Sequence, residues 1–206
     1  MATQYSDDLA YVREIAESGA SAPLLGGRFL VWWGALVTAA YFGHYAIWTG
    51  VAGLTPVALP ILWTGFIVVG LGGYFLLGRL FPADKPGASS AGNRVSANVW
   101  MASGFVLFSF FAGVTAKSYM DGAPSSGFAW SIPLVLGVYG ISQLVSGLMS
   151  NTRWLVIAGY AAIGSVGVTC LLVDQAELYL VAGITAALTV LLPGILMVRD
   201  EPSTTV

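Results

Sequence analysis

The 206-residue chain is expected to be an all-α integral membrane protein, a six-transmembrane-helix bundle preceded by a short amphipathic cytoplasmic helix. Three observations lead there. Hydrophobic residues make up 57% and charged residues 9%, whereas an average soluble domain is about 25% charged. That is too little charge to cover a surface in water, and the mean hydropathy of +0.81 agrees. Six apolar runs follow one another, each near the ~20 residues needed to cross ~30 Å of hydrocarbon. Lys and Arg then fall almost entirely on one side of the alternating connections.

Residues 1–27 form the first region, a cytoplasmic amphipathic helix and its linker. Ser6 is suited to the N-cap, and Asp7 and Asp8 complement the helix dipole. Leu9, Val12, Ile15 and Ala16 recur at helical spacing on one face, with Asp8, Arg13, Glu14 and Glu17 mostly off it. Gly19 provides the stop. A secretory signal would begin with positive charge and a short apolar run. Neither is present before Leu24, so this segment is expected to be retained.

Residues 28–199 form the membrane domain. Its spans are Phe29–Trp48, Val57–Leu80, Asn98–Ala116, Phe128–Met149, Trp154–Val173 and Leu178–Val198. In lipid each must satisfy its own backbone, so each is a helix. None shows the alternation of a barrel strand. Trp32, Trp33, Trp48, Trp130 and Trp154 suit the two interfacial belts. The loop Phe81–Arg94 is rich in Pro, Gly and Ser. The links "SNT" (150–152) and "DQA" (174–176) are so short that spans four, five and six are antiparallel neighbours. "DQAE" reads as a capping box, with Asp174 at the N-cap and Glu177 reaching back. Small residues at four-residue spacing, such as Ala158/Ala162 and Ala182/Ala186, predict tight packing of spans five and six. A three-plus-three division would suit an inverted repeat, but the halves share no residue similarity.

Residues 200–206 form a short tail. Six spans put both termini on one side, with Arg13, Arg28, Arg79, Lys85, Arg94, Arg153 and Arg199 against Lys117 alone on the other. This asymmetry predicts cytoplasmic termini and, with the low Lys content, a bacterial inner membrane.

Few residues carry chemistry. His44 is the one histidine. It is either a titratable switch or an interfacial ring bonded to a neighbouring helix. Gln143 with Ser142 and Ser146 either lines a polar path or bonds across helices. Pro193 removes the bond to the Thr189 carbonyl, which predicts a kink and a candidate hinge. The net charge of −2 and pI near 5.1 speak against nucleic acid. The single cysteine, Cys170, allows no intrachain disulfide. There is no H-E-x-x-H, G-x-S-x-G or P-loop motif. No span holds a lysine for a Schiff base or a charged pair for a proton relay. No cofactor or metal is expected.

The expected function is therefore non-enzymatic. The chain is a polytopic membrane protein acting through protein–protein interaction, either an accessory subunit of a membrane complex or an anchor for a cytosolic partner. The contact face would be Leu9, Val12 and Ile15. Its acidic polar side lacks attraction for anionic lipid, which leaves its own basic loops or another chain as the surface it covers. The alternative is a small oligomeric transporter or channel for a neutral solute, its path drawn from His44, Gln143 and Ser146, with Thr64, Ser109 and Thr185.

Overall fold

The computed structural model describes residues 22–81, 85 and 87–201, and among these there is helix and no strand. The amphipathic segment with Leu9, Val12 and Ile15 lies outside the described residues, as does the tail from 202 onward.

Six helices follow in chain order. They are α1 (Gly27–Trp48), α2 (Ala58–Leu80), α3 (Ala91–Asp121), α4 (Gly127–Met149), α5 (Arg153–Leu171) and α6 (Glu177–Asp200), with a 3₁₀ turn at Val51–Gly53 after α1. Five of them, α2 to α6, are long and apolar enough to cross a membrane, which points to a membrane location. At 22 residues α1 has the length as well. Its Trp, Tyr, Gly and His residues, together with Arg28, leave it without a stretch as apolar as those of the other five.

The helices stand in a bent row, α2–α1–α6–α5–α4–α3. Each of α2 and α3 packs extensively on one neighbour only. α6 touches α1, α4 and α5 and forms the middle. One core cluster joins Val37 and Tyr41 of α1, Ile132 and Leu136 of α4, and Leu178, Ala182 and Ala186 of α6. A second joins Leu24, Leu30, Leu155, Val190 and Met197. Residues 22 and 201 lie at the same end of the bundle, called here the terminal end. Gly27 packs there on Met197 and Val198.

The closest backbone approaches occur between α1 and α6 and between α4 and α5, whereas the small-residue pattern pointed to spans five and six. A Cβ on Gly34 would stand 2.7 Å from the Leu191 nitrogen, and one on Gly194 2.6 Å from the Val31 nitrogen. Gly140 and Gly159 face each other in the same way across α4 and α5. The short 150–152 link does its expected work, since α4 and α5 pack extensively against each other.

Three local features differ from the sequence expectation. Helix α3 begins at Ala91, seven residues before Asn98, because Ser90 accepts the Asn93 N–H at 3.2 Å and caps the helix. At 31 residues it is ~46 Å long, well beyond the hydrocarbon. The capping box at Asp174 does not form. Asp174 sits in the left-handed region at φ 70°, and α6 starts at Glu177 with no side-chain cap. Ahead of Pro193 the helix widens into a π segment, Ala187–Leu191, where the Leu192 N–H reaches the Ala187 carbonyl. The irregularity that proline imposes is thus taken up in the turn before it.

Candidate functional site

Three constellations hold the polar side chains of the bundle. The first surrounds His44, near the end opposite the termini. The ring is 7% exposed. Trp63 of α2 donates its indole N–H to His44 Nδ1 at 3.1 Å. A nitrogen that accepts carries no proton, so the proton of the neutral ring resides on Nε2. That atom is buried with no partner. Tyr179 stacks on the imidazole at 3.5 Å between centroids and 13° between planes. Trp48 lies on it at 5.6 Å and 29°. The cluster thus joins α1, α2 and α6 at one level. Farther along, Trp32 donates to the Gly70 carbonyl at 3.1 Å, so a second indole bond ties α1 to the middle of α2.

The second constellation joins α3 to α4. Ser96 pairs with Ser146 at 2.8 Å and Ser103 with Ser142 at 2.7 Å. Ser142 also reaches the Val138 carbonyl and Ser146 the Ser142 carbonyl. A hydroxyl has one proton, so Ser142 and Ser146 spend theirs on their own helix, and Ser96 and Ser103 are the donors across the interface. Gln143 lies between these serines in sequence but takes no part. It is fully buried, and neither its Oε1 nor its Nε2 has a hydrogen-bond partner.

Of the residues expected on a polar path, Gln143 and Ser146 lie within one turn of each other on α4. His44 does not join them. Its neighbour Tyr41 packs with Ile132, and Gln143 is 11 residues farther down α4, a drop of ~16 Å. Pro193 is buried in α6, two residues after the π segment.

The third constellation closes the terminal end, and sequence reasoning missed it. Asn93, 8% exposed, accepts the Leu25 N–H at 2.7 Å. Its amide donates to the carbonyls of Pro23 and Gly87, both at 3.0 Å. Lys85 pairs with Glu201 at 3.0 Å, both side chains more than nine-tenths buried. Arg28 Nε lies 3.8 Å from the other Glu201 oxygen, with its guanidinium over the Phe81 ring. The entering chain, the α2–α3 loop and the end of α6 are thereby tied together. The one available signal was Ser90 three residues before Asn93, a capping spacing inside a stretch that otherwise reads as loop.

Among the described residues no three His, Cys, Asp or Glu side chains gather into a metal-binding group. Comparison with protein-family models, characterised proteins and solved structures finds no match.

Proposed function

We propose that this chain is a non-enzymatic, six-span plasma-membrane protein, with α1 as its first span, that acts by holding another protein at its terminal end. On this reading both termini face the cytoplasm, and the setting is a bacterial inner membrane. Residues 5–19 form an acidic amphipathic helix whose Leu9, Val12 and Ile15 meet the partner. The bundle is then an accessory subunit or an anchor. The observation that carries the reading is the fixed root of that segment. Leu24 is buried in a core cluster, and Asn93 grips the backbone of both Pro23 and Leu25. What precedes residue 22 departs from one defined point beside Arg28, Lys85 and Glu201. An element that must meet a partner in a set orientation needs such a root.

The test is a native pull-down of the full chain from mild detergent, beside a variant with Leu9, Val12 and Ile15 changed to Ser. A stoichiometric companion that comes down with the first and not the second is the expected result. If both come down alone as the same oligomer, the reading fails.

Gln143 favours a second reading, facilitated passage of a neutral solute through an oligomer. A buried amide without partners is costly, and such groups are kept where they serve a function. Solute flux in liposomes that disappears in Gln143→Leu would support it.

A further inference from the structure

At the terminal end, α2 and α6 flank α1 and leave a groove of about 370 Å³ between them. Its floor is Val31 and Trp32, and its walls are Leu77 on one side and Ile195 and Val198 on the other, with Arg28 at its end. The lining is otherwise hydrocarbon, and the Trp32 indole N–H is already given to the Gly70 carbonyl.

Helix periodicity places cations at the mouth. Arg28 precedes Val31 and Trp32 by three and four residues, so it lies one turn nearer the terminal end on the same face of α1. Arg199 follows Ile195 by four residues and ends the same face of α6. Both groove-lining helix faces therefore finish in a guanidinium. The Arg28 side chain is 32% exposed and that of Arg199 75%. Two carboxylates stand nearby. Glu201 is held mainly by Lys85, at 3.0 Å against 3.8 Å for Arg28. Asp200 is 3.5 Å from Arg199 in an exposed pair, which binds weakly. Among these described side chains, Arg28, Lys85 and Arg199 outnumber Asp200 and Glu201 by one charge.

The groove opens sideways. Leu188, Leu192 and Ile195 continue its α6 wall along the exposed side of the bundle, where hydrocarbon would lie. A ligand that fits must carry an anion at one end and a long apolar chain at the other. We propose that this groove is a binding site for one anionic phospholipid, its phosphate between Arg28 and Arg199 and an acyl chain along Val31, Trp32 and Ile195. Basic recesses between helices at a membrane surface take such headgroups. The site requires only that the bundle lies in a bilayer, and it does not rest on the partner proposed above.

The test is native mass spectrometry of the full chain in detergent with equimolar dioleoyl phosphatidylglycerol and dioleoyl phosphatidylcholine. The wild type should retain the anionic lipid on the order of tenfold over the zwitterionic one, the effect of two arginines at a charged surface. Arg28→Gln with Arg199→Gln should bring the ratio near one. Arg199→Gln alone leaves the Glu201 contacts intact and should lower it part of the way. Ile195→Trp, which fills the groove from an exposed position, should reduce retention of both lipids. Inorganic phosphate in tenfold excess should displace neither. No preference in the wild type means annular lipid only and overturns the proposal. An unchanged ratio in both arginine variants does the same, as does displacement by phosphate, which would make the site one for a free anion.

Discussion

Asn93→Ala removes the side chain that ties the entering chain to the start of α3. Three backbone groups lose a partner: the Leu25 N–H, bonded at 2.7 Å, and the Pro23 and Gly87 carbonyls, each at 3.0 Å. A bond of this kind contributes about 0.5–1.5 kcal/mol net, so the local loss is about 3 kcal/mol. The loss falls on one corner, since the helix pairs beyond it share none of these bonds. Its readout is amide hydrogen exchange, which reports local opening directly. About 3 kcal/mol corresponds to about two orders of magnitude in the opening equilibrium. The Leu25 amide should therefore exchange about a hundredfold faster in the variant, with amides in the middle of α4 and α5 unchanged. Asn93→Asp is the sharper control. It keeps an acceptor for Leu25 but turns an oxygen toward the Pro23 and Gly87 carbonyls, so it should not restore wild-type protection. Leu25 exchange within threefold of wild type in the alanine variant would refute the reasoning.

Other expectations follow from the packing. Gly34→Val forces a side chain into the Leu191 backbone and should destabilise the bundle by about 2 kcal/mol or more, whereas Gly65→Val, with open space around it, should change stability by less than about 0.5 kcal/mol; equal effects in a steric-trapping or thermal assay would contradict the α1–α6 contact. A double-mutant cycle on Ser103→Ala and Ser142→Ala should give a coupling of about 0.6 kcal/mol, and zero coupling would remove the cross-helix bond from the account. Gln143→Leu replaces an amide without partners by a side chain of similar size and should stabilise the fold by about 1–2 kcal/mol; a loss of stability would mean that the amide has a partner after all.

The helices were legible because an apolar run of this length allows one backbone solution in lipid, and five of them have the length and composition to cross a membrane. The ends were not. Helix α3 opens with Ala91, Gly92, Asn93, Arg94 and Ser96, which hydropathy reads as loop, and a single serine cap decides the matter. Neighbourhood was legible where a link is short, as between α4 and α5. It was hidden where contacts are distant in sequence. Gly27 and Gly34 are seven residues apart and touch α6; Gly65 and Gly72 are also seven apart and touch nothing. The two pairs look alike until the fold chooses between them. Likewise His44 stood out as the sole histidine, but its partner Trp63 depends on the register of α2 against α1. Asn93 and Glu201 went unread because their roles arise only where three distant segments meet.

The order of the row divides the bundle into two groups. Helices α1 and α2 pack as a pair, and α3, α4 and α5 as a chain of neighbours. No helix other than α6 packs extensively on both groups. The face of α1 around Gly34 and Val37 is the one that α6 covers. Helix α6 is thus the element that joins the two groups, and the small Ala182, Gly183 and Ala186 among its buried residues let it fit between them.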